Sequence, residues 1–495
     1  MRLPRASGIL LHPTSLPGPH GSGDLGESAR QFVDWLVQAG QKLWQILPLG
    51  GIGPGNSPYM SSSAFAGNVL LIDLVDLQEQ GWLDASTLQP EAPFDTRVLD
   101  FARVVPWRME RLRCAAGRYR ESATIAQRED YARFCVSQID WLDDYALFMS
   151  LADHFGWQDW ADWPPALATR EPAALANARE VHAEAIAFWK FCQWRFFHQW
   201  KALKTYANEQ GVQIVGDAPI FIACQSAEVW ARPELFELDE NHRQTVVAGV
   251  PPDAFSDTGQ RWGNPLYRWS AHAGEGYAWW ISRVRAIFEL VDIVRIDHFR
   301  GFAAHWEIPA SEETAVNGHW VAGPGAALFE AIAAALGPLR IIAEDLGVIT
   351  PDVESLRRQF DFPGMRILQF AFGGDSSNAY LPHRHARDSV IYTGTHDNDT
   401  TPGWWAQISE AERQHVRDYL AIDGQDIGWQ FIRAACASVA DLAIHPLQDV
   451  LGLGSEARMN FPGKPSGYWQ WRFDWPQIEP RHHQLLASFC TLYGR

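Results

Sequence analysis

The sequence predicts an α/β protein built on a closed (β/α)8 barrel, with inserted, mostly helical subdomains between strands. Eight short apolar runs close on polar or charged residues, and stretches of helical period separate them. The composition, 47% hydrophobic and 20% charged, is that of an ordinary globular chain rather than a disordered or coiled-coil one. A length of 495 residues allows about three domains at roughly 150 residues each, but one α/β barrel with insertions also reaches it.

In chain order, the first run, 8–11, leads into Pro/Gly-rich sequence. The second, 42–48, follows a helix whose apolar face is Phe32, Leu36 and Val37. The others are 213–217, 291–297, 339–345, 365–370, 389–393 and 442–446. The gap between the second and third runs is too long for one βα connection, so residues 74–206 are expected to hold a helical subdomain inserted after strand 2. Its middle is rich in Trp, Ala, Arg and Phe and poor in glycine. Residues 218–275 are expected to be a loop-rich insertion after strand 3, because Pro251-Pro252, Thr258-Gly259 and Gly263-Asn264-Pro265 punctuate them. There is no internal repeat and no flexible linker, so 1–495 reads as one catalytic body.

Charge and cysteine usage narrow the partners. A formal charge of −18 repels polyanions, which argues against nucleic acid. No apolar stretch approaches the length of a membrane span, and no signal-like start is present. Six cysteines without a CxxC pair are no disulfide framework, so a cytoplasmic location is expected. No HExxH, Cys/His ligand spacing, Walker loop or post-strand GxGxxG occurs, so neither metal nor cofactor is expected. The run of glycines at 50–55 mimics a phosphate cradle only superficially, since Pro54 removes an amide donor and no Lys-Ser/Thr follows. It leads into Asn56-Ser57-Pro58-Tyr59, a candidate ligand loop. The 24 tryptophans, clustered at 279–280, 404–405 and 469–471, offer sugar-stacking faces but are first of all core material.

Barrel active sites lie at the carboxyl ends of the strands, so acids that close an apolar run come first. Asp297, Glu344 and Asp397 are such residues, and three carboxylates can converge on one mouth. Arg295 and Asp297 are two apart and share a face, where the guanidinium would keep the carboxylate ionised; the same spacing also suits a purely structural ion pair. Glu344 could instead cap the next helix, a role open to Asp345 as well. The cluster His396-Asp397-Asn398-Asp399 could equally be a loop hydrogen-bonding network. Paired carboxyl groups beside a polar ligand suit glycosyl chemistry, one as nucleophile and one as acid/base.

Several strings, in order, extend the reading: SPY at 57–59, GDAPIF at 216–221, PPDAFS at 251–256, TGQRWGNPLY at 258–267, RIDHFRG at 295–301, AEDLG at 343–347, PGM at 363–365, GTHDN at 394–398, and MN at 459–460 with PG at 462–463. Together they resemble the 4-α-glucanotransferases (amylomaltases, or disproportionating enzymes) of glycoside hydrolase family 77, over nearly the whole chain. The resemblance implies an α-amylase-like retaining enzyme with Asp297 as nucleophile, Glu344 as general acid/base and Asp397 holding the glucosyl 2- and 3-hydroxyls. It implies that Arg295 orients Asp297, that His396 bonds the same sugar, and that Asp217 and Tyr59 complete the donor pocket. Ser57, Asn264 and His298, within the same strings, join the substrate-binding set. Residues 251–262 resemble a mobile lid, with Phe255 and Trp262 as stacking faces and Gln260 between them.

The implied partners are maltooligosaccharides and α-1,4-glucans as donors, and glucose or maltooligosaccharides as acceptors, for a monomer or small homo-oligomer without binding modules outside the barrel. Water or a sugar hydroxyl could each attack the covalent intermediate. A water-excluding lid favours the sugar by raising its effective molarity. An α-glucan hydrolase and a non-catalytic glycan-binding barrel are the alternatives. The double-displacement scheme requires Asp297 and Glu344 at a separation of roughly 5–5.5 Å.

Overall fold

The computed structural model describes residues 3–253, 256–464 and 466–495. Its strands are β1 (Ala6–Leu10), β2 (Leu43–Gln45), β3 (Gln213–Pro219), β4 (Val246–Val250), β5 (Gln260–Pro265), β6 (Ile293–Asp297), β7 (Ala304–Pro309), β8 (His319–Ala322), β9 (Ile341–Ala343), β10 (Gly364–Ile367), β11 (Ser389–Tyr392) and β12 (Leu442–Pro446). Eight of them close into a parallel barrel in the order β1-β12-β11-β10-β9-β6-β3-β2. Each of the eight apolar runs contributes one of these strands.

Side chains alternate along each strand between two apolar clusters, which fixes which residues face inward. Leu10, Leu43, Val215, Ile293, Ile342, Met365, Tyr392 and Ile444 meet across the barrel interior. Ile9, Trp44, Ile214, Val294, Ile296 and Ile341 belong to the layer between the barrel and its helices. Counting on by twos from Val215, Ile293 and Ile342 brings Asp217, Arg295, Asp297 and Glu344 to the inward side. Where the interior approaches the mouth, the sequence therefore changes from aliphatic to charged residues.

Between β2 and β3 the chain forms seven α-helices, from Leu74–Glu79 to the long Ala183–Glu209. The last of these is bound to the barrel: Trp200 Nε1 donates to the Leu290 carbonyl at 2.8 Å. Within the segment 218–275, β4 and β5 join β7 and β8 in an antiparallel sheet of order β5-β4-β7-β8. Its glycines serve the sheet instead of breaking it. A Cβ on Gly249 would stand 2.2 Å from the Gln260 carbonyl oxygen. Gly263, at φ +81°, supplies a left-handed residue inside β5 that the β4 pairing accommodates by a register shift. The partner strand β7 lies far along the chain, so local Gly and Pro density could not reveal it.

Two glycines test the packing. A Cβ on Gly8 would sit 2.4 Å from Leu43 Cβ, whereas one on Gly117, within the helix Phe101–Ser122, meets nothing within 4 Å. Gly8→Ala should destabilise by about 1–3 kcal/mol, and Gly117→Ala should stabilise by about 0.5–1 kcal/mol. Urea or thermal unfolding midpoints should therefore move in opposite directions.

Candidate active site

The mouth is organised around Arg295. Its side chain is only 4% exposed, and its Nη1 lies 2.7 Å and 2.8 Å from the two carboxylate oxygens of Asp217 on β3. Its Nη2 lies 2.8 Å from Asp297 Oδ1 at the end of β6, and its Nε lies 3.4 Å from Met365 Sδ. Parallel pairing sets Asp217 beside Arg295 in register. The arginine thus joins two neighbouring strands as well as two carboxylates.

The acids differ in access. Asp217 is fully enclosed, whereas the side chains of Asp297 and Asp397 are 30% and 40% exposed. Asp217 is therefore held beneath the site, where a ligand would meet Tyr59 before reaching it. Burial raises Asp297 above the ordinary carboxylate range, with Asp217 and Asp397 adding to the effect, while Arg295 opposes it. The guanidinium moderates the upward shift and does not reverse it. Glu344 has no cation in contact. Burial and the charge of Asp297 push it to about 8. Because Arg295 is in contact with Asp297 and not with Glu344, the geometry favours the charge on Asp297 and the proton on Glu344.

Glu344 is no helix cap. Its Oε2 accepts the backbone N–H of His298 at 2.7 Å and its Oε1 that of Leu346 at 2.9 Å, which fix the carboxyl between the ends of β6 and β9. His298 reaches this position through a left-handed backbone, φ +54°. Asp345 caps nothing either; it accepts from Met365 N at 2.7 Å and pairs with Arg357 and Arg366, bracing β10 beside β9.

On the opposite wall, Ser57 Oγ accepts Tyr59 N at 3.2 Å and caps the turn Pro58–Met60. That turn delivers Tyr59, whose hydroxyl donates to Asp217 Oδ2 at 2.8 Å. The Tyr59 hydroxyl oxygen also lies 2.8 Å from His396 Nε2. Tyr59 has one proton, and burial with nearby negative charge keeps it far above its ordinary range of titration. His396 must then carry its hydrogen on Nε2 and donate it. Asp397 Oδ1 stands 3.3 Å from that nitrogen and accepts Asn460 Nδ2 at 2.7 Å. Within the 396–399 cluster the work is divided: His396 and Asp397 face the site, while Asn398 Oδ1 accepts from Thr395 N and Oγ1 and shapes the loop.

The residues on and beside β5 are less uniform. Trp262 packs edge-on against His298 at 4.8 Å between ring centroids and donates to Gln260 Oε1 at 3.1 Å. Burial, with Arg300 and His305 nearby, lowers His298 to about 3, so its ring is neutral. Asn264 is buried, with its Nδ2 donating to the Ile222 carbonyl at 2.9 Å, which secures the loop after β3. Phe255 lies outside the described residues. Asn460 and Arg458, whose Nη2 donates to the Asp397 carbonyl at 2.6 Å, were not anticipated; only the string around Asn460 marked that segment. Trp279 and Trp280 are buried core, whereas Trp469 packs against both Tyr59 and His396. Among the described residues, no group of three or more His, Cys, Asp and Glu is arranged to hold a metal ion.

The eight parallel strands and their surrounding helices make this a (β/α)8 barrel. At the level of fold alone it is similar to a maltogenic alpha-amylase from Thermotoga neapolitana, 12% identical, with a TM-score of 0.50 over 100% of this chain and 78% of that one. A family model described as 4-alpha-glucanotransferase matches residues 11–477. The 4-alpha-glucanotransferase of Thermus thermophilus is 51% identical over 100% of both chains. The amylomaltase from Streptococcus agalactiae, solved in complex with acarbose, superposes with a TM-score of 0.96 over 99% of each chain at 38% identity. This chain belongs to the 4-alpha-glucanotransferase family.

The division of the proton is directly measurable. Carbon-13 NMR of side-chain carboxyl groups should contain one resonance titrating near pH 8, and Glu344→Gln should remove it. Loss of a resonance in the ordinary carboxylate range instead would mean that the proton lies elsewhere.

Proposed function

We propose that this chain moves α-1,4-glucan segments between maltooligosaccharides by retaining double displacement. The observation that carries the reading is the unequal pair: Asp297 bound to Arg295, and Glu344 raised to about 8 without a cation in contact. The Asp297 carboxylate attacks the anomeric carbon; the glycosidic C–O bond breaks as Glu344 gives its proton to the departing oxygen. An acceptor hydroxyl then attacks the same carbon, loses its proton to Glu344, and releases Asp297. Asp397, held by Asn460, and His396, with its hydrogen on Nε2, grip the donor glucose, with Tyr59 beside them. Ser57, Asp217 and Asn264 position these groups.

Transfer over hydrolysis is supported by β5, which carries Gln260 and Trp262 to the side of His298. A cover built on β5 excludes water and concentrates a sugar acceptor. The insertions over 74–206 and 218–275 are walls of one catalytic body. No helix of the described residues is long and apolar enough to cross a membrane, and all six cysteines are free, which fits action in the cytoplasm.

Incubation with maltotriose should give a ladder of longer and shorter products. Reducing-end gain without longer products would mean a hydrolase, and no products at all a binding protein. Asp297→Ala and Glu344→Gln should each lose at least about a thousandfold in transfer. In the wild type, kcat/KM should fall as pH rises through about 8, because Glu344 then loses the proton it must donate. It should also fall on the acid side as Asp297 takes one up. A flat profile across pH 7–9 would contradict the assignment of Glu344.

A further inference from the structure

The loop that bears His396 and Asp397 leaves the end of β11 at Thr393 and enters the helix Thr401–Gln407. Both ends are tied to one carboxylate. Thr393 Oγ1 donates to Asp449 Oδ2 at 2.5 Å, Thr401 Oγ1 to the same oxygen at 2.7 Å, and Thr401 N to Oδ1 at 2.6 Å. Asp449 is fully buried in the short helix Leu447–Val450 that follows β12. Its own backbone has little freedom, since a Cβ on Gly428 would stand 2.7 Å from the Asp449 carbonyl oxygen.

The bonds within the loop are local, Asn398 to Thr395 and Asp397 N to Thr395 Oγ1; they set its shape but not its place relative to the barrel. Arg458 and Asn460 hold its tip, and Gln369 Nε2 holds the Asp399 carbonyl. Asp449 differs from these in joining both ends of the loop to the end of the adjacent barrel strand. We propose that Asp449 is a positioning residue of the donor pocket, holding the His396–Asp397 loop at the height at which Asp397 meets the sugar. All three bonds end on the Asp449 carboxyl group. In Asp449→Asn only one acceptor oxygen is left, so the two hydroxyls must reverse and accept from the amide nitrogen; the staple loses its charge-assisted bonds while the side-chain volume is kept.

The inference rests on the reading that Asp397 grips the donor glucose, and the test separates the two. Kinetics with an activated aryl maltooligoside are measured for Asp449→Asn, Asp397→Asn and the double variant, well below their melting temperatures. Asp449→Asn should lower kcat/KM by about tenfold to a hundredfold, mostly through kcat, the scale of a small misplacement of a reacting group. In the Asp397→Asn background the same change should cost less than about threefold, because the group being positioned is already gone. Thr393→Val and Thr401→Val, which each remove one hydroxyl donor, should give smaller losses of the same kind and decide the matter if Asp449→Asn does not fold. Folded variants within twofold of wild type, or an equal loss in both backgrounds, would overturn the proposal. An Asp397→Asn enzyme of normal activity would instead overturn the reading of Asp397 itself.

Discussion

A guanidinium sealed into the top of a barrel is tolerable only when its charge is matched at close range, and Arg295 is matched twice, by Asp217 below and Asp297 above. The rest of the site depends on that ion cluster. Asp217, with its charge engaged by Arg295, still accepts the Tyr59 hydroxyl, and through Tyr59 the hydrogen of His396 is assigned to Nε2. Asp297, sharing the cation, carries the negative charge that keeps the proton on Glu344. One arginine thereby distinguishes two neighbouring carboxyl groups, since Asp297 touches it and Glu344 does not.

The arrangement separates charges that build from charges that react. Asp217 and Asp449 are enclosed and fully bonded; Asp297 and Asp397 are partly open to the cleft. Enclosed carboxylates keep their partners in fixed places because leaving any of them unpaired in a low-dielectric interior is costly. Backbone donors play the same part for Glu344, whose two oxygens are each held by an N–H from a different strand end. The catalytic geometry is thus anchored on barrel strands, with loops supplying the faces that meet a ligand.

The barrel was legible in the sequence because parallel strands buried on both faces read as nearly continuous apolar runs, and all eight stand where such runs occur. The acids were legible for a related reason: Asp297 and Glu344 interrupt the apolar pattern at strand ends, and Asp397 follows one closely. The ties that hold them were not. Asn460 reaches Asp397 across 63 positions and Asp449 reaches Thr401 across 48, distances over which neither periodicity nor a short string carries information. The antiparallel sheet was hidden for the converse reason, since its glycines and prolines look like a loop until β7 is brought beside β4. Asp217 and Asn264 have the residue types of ligand contacts, and in the folded chain they bond Arg295, Tyr59 and the Ile222 carbonyl.

The most direct test is to trap the intermediate. Rapid quenching of the enzyme with a slow fluorinated maltooligosyl fluoride, followed by proteolysis and mass spectrometry, should yield the peptide containing Asp297 heavier by the fluorinated maltooligosyl group, with the label on that aspartate. A label on Asp397 or Glu344, or turnover with inverted anomeric configuration and no labelled peptide, would contradict the assignment of Asp297 as the attacking group.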